Sequence, residues 1–337
     1  MSGAREARRL AFAREALDDP RIGLEPASSD ASFRSYWRTL GVEPSRIVMD
    51  APPDKEDLAP FLDVAARLEA AGVAAPQVLA RDIDGGFLLL SDLGSRLLLP
   101  ELDADRVEDH YARAMALLLR MQRDVDDSGL ARYDEARLVT EMELMPTWFV
   151  QRHLGITPGC EDWDVIESAF RALLDSAAAQ PQCFVHRDFH SRNLMLQEDG
   201  ALAVIDFQDA VRGPVTYDLV SLLRDCYVEW PDARVEGWVE DYRRRLAAGG
   251  LPVPDADRFL RAFDLMGLQR HIKVLGIFCR LWYRDGKAGY LGDLPRVWGY
   301  VHRVGLRHPE IRPLVELLDQ WIAQRDLRRP AGEGVAA

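Results

Sequence analysis

Hydrophobic and polar positions follow one period in the front of the chain and another behind it. Between residues 20 and 95 RIGLEP, RSYWRTL, SRIVM, PQVLARD and GFLLLSD read as strands, with period-two alternation and aromatic residues supporting the one at 34–40, and the turn IDGG at 83–86 joins the last two as a hairpin. One helix, KEDLAPFLDVAARLEAAG, interrupts them. Asp54, Glu56 and Asp57 are expected in its first turn, where the helix dipole favours acids. The N-terminal segment carries Ala7, Leu10, Ala13 and Leu17 at helical spacing and lacks the unbroken apolar core of a signal peptide, so it is expected to be a packed helix.

Beyond Gly94 the period lengthens. Helices are expected at 104–124, 138–151, 162–178, 216–228, 234–248, 255–284 and 310–325, with a single strand pair among them, NLMLQ and LAVIDF about the turn EDG. Strands in front and helices behind imply an α+β architecture in two lobes. An N-lobe over 1–95 would hold an antiparallel sheet and one helix, and a mostly helical C-lobe over 96–327 would carry the hairpin; the tail from 328, RRPAGEGVAA, is expected to be disordered.

Composition narrows the partners. With 337 residues and 48% hydrophobic content a sizeable core can form, and 55 acidic against 42 basic residues give a net charge of −13, which phosphate backbones repel. No stretch approaches the roughly 18 apolar residues of a membrane span. Cys160, Cys183, Cys226 and Cys279 are widely separated and form no C-x-x-C pair, so reduced thiols in a cytoplasm are the simplest expectation.

The densest chemistry lies in FVHRDFHSRNLML at 184–196. His186, Asp188 and His190 at i, i+2 and i+4 could ligate a transition metal, but the other histidines are isolated and no second cluster completes a site. The spacing supports another reading better. His186-Arg187-Asp188 leads after four residues to Asn193, then through the strand pair to Asp206-Phe207, the order of a phosphoryl-transfer catalytic loop and its metal-binding partner. Asp188 would accept the proton of an attacking hydroxyl, and Asn193 and Asp206 would hold Mg²⁺. His186 is expected to support the loop. Asp218, at the start of a helix, either caps it or accepts backbone N–H groups of the loop.

VHRDFHSRNLM, VIDFQDA and GPVTYDLVSLL resemble the aminoglycoside phosphotransferase and choline kinase-like superfamily of small-molecule kinases, over roughly residues 20–325. Within it SSDASFRSYWR, MDAPPDKED, LLLSDLGSR and LQRHIKVLGIFCRLWYRDGKAGYLGDLPRVW look like the bacterial anomeric kinases of N-acetylmuramate and N-acetylglucosamine. The resemblance implies a protein-kinase-like bilobal fold, ATP and Mg²⁺ as cofactors, and transfer to the C1 hydroxyl of an amino sugar in peptidoglycan recycling. A kinase of the same fold acting on an aminoglycoside, choline or homoserine is the alternative. It also implies a nucleotide base against the backbone of Leu90, Ser91 and Leu93, and phosphates under the loop Ser29, Asp30, Ala31 and Ser32. The expected partners are ATP and a small amino sugar, with neither nucleic acid nor membrane, for a cytoplasmic monomer or weak dimer.

Two departures from protein kinases stand out. The loop at 28–33 has no glycine, and the third strand offers Met49 or Asp50 where a kinase lysine would stand. Arg34, Arg38 and Lys55 are the candidate replacements, Arg34 being nearest the loop. For the acceptor, residues 261–312 hold ten basic and four acidic residues, a net of +6 that leaves −19 elsewhere. Arg270, Lys273, Arg280 and Arg284 share one side of a helix whose other side carries Phe259, Phe263, Met266, Leu275 and Phe278. That stripe either clamps a carboxylate such as a lactyl group or is a solvated face. Gln269 and His271 could meet sugar hydroxyls or be satisfied core groups; Glu141, Glu143, Trp148 and His153 could also face the acceptor, and Asp209 could reach it or a second Mg²⁺.

Overall fold

The computed structural model describes residues 2–29 and 33–330. Helix α1 (Ser2–Ala16) precedes β1 (Gly23–Ser29), β2 (Ser35–Leu40) and β3 (Arg46–Asp50); α2 (Ala59–Ala70), β4 (Val78–Asp82), β5 (Phe87–Ser91) and α3 (Val107–Asp124) follow. After α4 (Glu135–Met142) come a π-helical turn, Met145–His153, then α5 (Cys160–Ala178) and four short strands: β6 (Gln182–Val185), β7 (Leu194–Leu196), β8 (Leu202–Val204) and β9 (Val211–Pro214). Helices α6 (Tyr217–Leu223), α7 (Asp232–Ala248), α8 (Ala256–Tyr283), α9 (Leu294–Gly305) and α10 (Arg312–Ile322) complete the chain. They fall into two compact units, Met1–Asp126 with Arg192–Ala210, and Asp127–Ser191 with Val211–Ala337.

In the first unit five antiparallel strands lie in the order β1-β2-β3-β5-β4. The interior strand β5, FLLLS, is apolar on both faces because both are covered. Ala13 of α1 packs with Ile22, Val48 and Leu89, and Phe12 stacks on Phe87 at 5.7 Å. Asp50 fixes α1 further, since Arg5 and Arg9 reach it at 2.6 and 3.0 Å, and the Arg9 guanidinium lies 3.5 Å above the Trp37 ring. Asp50, one of the two candidates for the kinase-lysine position, is therefore a buried acid that anchors the N-terminal helix.

This unit extends past residue 95. Leu98 N–H donates to Leu194 C=O, Leu196 N–H to Arg96 C=O and Val204 N–H to Ala74 C=O, so the hairpin β7–β8 and helix α3 belong with the sheet rather than with the helical region. Asp54, Glu56 and Asp57, expected in the first turn of α2, lie before it. The helix begins only at Ala59, whose N–H donates to Asp57 Oδ1, while Glu56 turns away to accept the Phe33 N–H.

The second unit is organised on α8, 28 residues long and capped by Asp255. Gly276 lets the chain at Leu144 come so close that a Cβ there would meet the Leu144 carbonyl carbon at 2.3 Å. The expected helix 138–151 is broken at this place: Pro146 has no N–H to give, and α4 gives way to the π-helical turn. A second strand pair, β6 with β9, was not anticipated and joins the approach to the catalytic loop to the segment before α6. Helix α9 was missed although Leu294, Val297, Val301 and Val304 carry its buried side, and the helix expected over 216–228 ends at Leu223. The expected disorder of the tail concerns mainly residues 331–337, which lie outside the described residues. Among the described residues no helix is long and apolar enough to cross a membrane, and the four cysteines are free.

Candidate active site

The catalytic loop is strained and held. Arg187 and, beyond the hairpin, Asp206 adopt positive φ of 77° and 64°, a region that residues with a Cβ rarely occupy and that costs about 1–3 kcal/mol. Two buried aspartates of the second unit hold the loop. Asp218 accepts the N–H groups of His186 at 2.7 Å and Arg187 at 3.0 Å, and Asp225 accepts both the N–H and the hydroxyl of Ser191. Asp225 also receives the Tyr227 N–H at 3.0 Å. Burial pushes the Asp218 carboxyl up to about 7 against those two donors and Arg270. His186, fully buried, accepts the Asp188 N–H at 3.3 Å through Nδ1 and meets the Phe189 ring edge-on, so it shapes the loop.

Asp188 stands in a field of cations. Arg270 lies 3.7 Å from its carboxylate and also donates to the Arg187 carbonyl at 2.8 Å. The packed protein around Asp188 acts to raise its carboxyl, but Arg270, Lys273, His190 and Arg187 together outweigh this and hold it below the ordinary carboxylate range. Its side chain remains 42% exposed. Behind it Glu141 binds Lys273 at 2.9 Å, Arg187 and the Tyr133 hydroxyl, and the Tyr217 hydroxyl lies within reach of Arg270, Lys273 and Tyr133. Burial opposes the Glu141 charge, yet Lys273, Arg187 and Tyr133 keep its carboxyl below the usual value.

In the first unit a cavity of about 360 Å³ is lined by Tyr36, Ile47, Phe61, Leu90, Ser91, Leu93, Met195 and Phe207, with Asn193 and Asp206 at its margin. Leu90, Ser91 and Leu93, against which the resemblance sets a nucleotide base, are thus among the residues lining this cavity. Asp92 holds the turn after β5, accepting from Arg38 at 2.6 Å, Ser45 and the Gly94 N–H. Phe207 packs on Phe61 of α2 at 4.8 Å and so ties the Asp206 backbone to the core. Asn193 Nδ2 lies 3.5 Å from Asp206, and Gln208 donates to the same carboxylate at 2.8 Å. An amide beside a carboxylate offers oxygen ligands suited to Mg²⁺, which takes few protein carboxylates and fills its shell with phosphate oxygens and water. Among the described residues no set of three or more His, Cys, Asp or Glu could hold a metal, so the His186-Asp188-His190 cage is not assembled.

The structure separates the candidate cations. Arg34 is nearly buried, 3.9 Å from Asp206 and 3.8 Å from Glu56, beside the candidate metal ligands. Arg38 is bound to Asp92, and Lys55 is half-exposed near Asp54 and the Phe33 ring. Asp30, Ala31 and Ser32 lie outside the described residues, and Ser29 ends β1.

On α8 the expected stripe divides. Arg270 and Lys273 are buried beside Asp188 and Glu141, whereas Arg284 is exposed and paired with Asp285 at 2.8 Å. His271 is not a sugar ligand in this arrangement. It points to the opposite side, its ring stacked 4.7 Å from Tyr300 and its Nε2 on the Arg224 carbonyl, and burial lowers its pKa to about 3, so the ring is neutral. Gln269 is fully buried as well, and His153 is held between Tyr283 and the Leu327 carbonyl. Glu143 is exposed and Trp148 half-buried. Asp209 is exposed, with Gln208 3.5 Å away. Asp225 and Tyr133 escaped the sequence reading, as did the pairing of Glu141 with Lys273 and of Arg38 with Asp92. Asp225 lies beyond the end of α6 at Leu223, so no helical spacing from Asp218 points to it.

The phosphotransferase enzyme family model matches residues 23–260. A Pseudomonas putida protein named N-acetylmuramate/N-acetylglucosamine kinase is 47% identical over 300 residues, covering 89% of this chain and 88% of its own. The Neisseria meningitidis protein of that name is 42% identical over 89% and 91%. Among solved structures, ADP-bound aminoglycoside phosphotransferase APH(2'')-Ib superposes with a TM-score of 0.58 at 15% identity, covering 86% of this chain and 96% of its own. Choline kinase LicA from Streptococcus pneumoniae gives 0.61 at 12%, covering 87% and 98%; at such identities the likeness is one of fold. Family match and close relatives agree with the loop geometry: the chain belongs to the phosphotransferase enzyme family.

Proposed function

We propose that this protein is an ATP-dependent sugar kinase that phosphorylates the anomeric hydroxyl of N-acetylmuramate and N-acetylglucosamine, a step in the salvage of cell-wall amino sugars. The carrying observation is Asp188, ionised by its neighbours, 42% exposed, and set on a loop that continues directly into Asn193. The 42–47% identity to curated relatives of that name supports the choice of acceptor. ATP use and four free cysteines fit a cytoplasmic enzyme.

Asp188 is too acidic to deprotonate a hydroxyl before reaction. It orients the sugar hydroxyl and takes its proton as the new P–O bond forms, which suits a loose phosphoryl transfer in which the nucleophile's charge develops late. The C1 hydroxyl of a free sugar is more acidic than an ordinary alcohol, so a weak base suffices. Arg270 keeps Asp188 ionised and, through the Arg187 carbonyl, keeps the loop in place. Asn193 and Asp206 would hold Mg²⁺, which supplies charge neutralisation for the β- and γ-phosphates. Arg34 would take the place of the kinase lysine beside them, and the cavity at Leu90, Ser91 and Leu93 would take the base.

An acceptor panel tests the reading. ADP release is measured with ATP, Mg²⁺ and each of N-acetylmuramate, N-acetylglucosamine, glucose, choline and kanamycin, and phosphorus NMR identifies the product. Turnover of the two amino sugars to 1-phosphates is expected. A C6 phosphate, or turnover confined to choline or kanamycin, refutes it.

A further inference from the structure

Arg270, Lys273, Arg280 and Arg284 fall within one quadrant of α8 at 3.6 residues per turn. Exposure rises along that quadrant. Arg270 and Lys273 are 4% and 7% exposed beside the catalytic loop, Ile277, Arg280 and Leu281 are half-buried, and Arg284 is open to solvent. The quadrant therefore leads outward from Asp188, and two turns, about 10 Å of helix, separate Lys273 from Arg280.

Three of these cations have a protein carboxylate of their own: Arg270 has Asp188 at 3.7 Å, Lys273 has Glu141 at 2.9 Å and Arg284 has Asp285 at 2.8 Å. The Arg280 side chain has neither a hydrogen bond nor an ion pair among the described residues, and its Nε is buried without a partner. Burial and the neighbouring Arg284 both weigh against its charge, with Asp285 offsetting them in part, so its pKa is lowered. A half-buried guanidinium with an unmet donor is a fork shaped for a carboxylate.

We propose that Arg280 binds the carboxylate of the acceptor, the lactyl group that N-acetylmuramate carries and N-acetylglucosamine lacks, and so determines how well the acidic sugar is used. The inference rests on the amino-sugar reading above. Arg270 and Lys273, the more obvious clamp, have their charges matched inside the protein and hold the catalytic loop and Glu141 instead. With its C1 hydroxyl at Asp188, the sugar would extend its C3 substituent outward along the basic quadrant. Recognition of the neutral sugar needs no such cation.

The test compares kcat/KM for the two sugars in the full-length enzyme, Arg280→Gln and Arg280→Lys, with ATP saturating. Arg280→Gln is expected to lower kcat/KM for N-acetylmuramate roughly 10- to 100-fold, through KM, while N-acetylglucosamine changes less than about threefold. Arg280→Lys should restore part of the loss. In the unmodified enzyme the methyl ester of N-acetylmuramate should lose the same factor. N-acetylglucosamine turnover reports folding of each variant. An unchanged ratio between the sugars, or an equal fall in both, overturns the role of Arg280. If the unmodified enzyme uses neither sugar, the amino-sugar reading fails and this inference with it.

Discussion

The surroundings of Asp188 and of Asp206 treat charge differently. Around Asp188, in the second unit, ionic groups meet at hydrogen-bond distance and close on one another: Glu141 on Lys273, Arg187 and Tyr133, Asp218 on two N–H groups, Asp225 on three donors. Around Asp206, in the first, Gln208 donates at 2.8 Å, Arg34 stands 3.9 Å from Asp206 and 3.8 Å from Glu56, and Asn193 3.5 Å from Asp206. A group that must aim one proton acceptor gains from a site its own side chains complete. A group that must receive a polyanion with a hard cation gains from donors that tighten when the ligand arrives. On the proposed roles the acceptor side would be prebuilt, and the donor side would tighten when its ligand arrives.

The largest expected effect separates chemistry from nucleotide binding. Asp188→Asn should lower kcat by about 10²–10⁴. Because Asp188 belongs to the prebuilt side, the ADP dissociation constant by titration calorimetry should stay within about threefold. Full turnover by this variant would remove Asp188 from the mechanism, and a parallel loss of ADP binding would break the contrast. Arg34→Met probes the other side and should raise KM for ATP roughly 10- to 100-fold, the worth of a charged contact to phosphate, with KM for the sugar nearly constant. An unchanged KM for ATP would return Arg34 to a structural role with Glu56.

Much of this contrast is legible in the sequence where local pattern decides. The strands of the first unit fall on the short apolar runs, and the candidate roles of Asp188, Asn193 and Asp206 are read from their spacing. What escapes is set by contacts distant in sequence. Arg38 looks like a free cation until Asp92, 54 residues on, claims it. Arg270 and His271 are neighbours with similar chemistry, and only the packing of α8 turns one to Asp188 and the other to Arg224 and Tyr300. Asp50 is claimed the same way: it serves α1 through Arg5 and Arg9, a use that no feature of the third strand reveals. The hairpin β7–β8 reads correctly as strands, but its membership of the first unit depends on backbone bonds to Arg96 and Leu98.

The smallest expected effect concerns the two aspartates that flank the loop's strain, because the protein shifts them in opposite directions. Asp188 is held below the ordinary carboxylate range, so its contribution to stability is present above that range and is lost only in strong acid. Asp218 is pushed from 3.8 up to about 7 by burial. For a carboxyl so raised, the native state keeps a proton that the unfolded chain gives up, and the stability this brings is complete below about pH 4 and lost as pH rises through about 7. The sum is on the order of a few kcal/mol, which in a chain of this size corresponds to a shift in melting temperature of several degrees. Asp218→Asn is neutral at every pH and carries no such slope. The melting temperature of the unmodified protein minus that of the variant should therefore fall steadily between pH 4 and 7 and level off above, since titrations common to both cancel. A difference that is flat or rises with pH over that interval would mean that His186, Arg187 and Arg270 stabilise the Asp218 charge more than burial penalises it. The loop would then be held by an ordinary ionised aspartate.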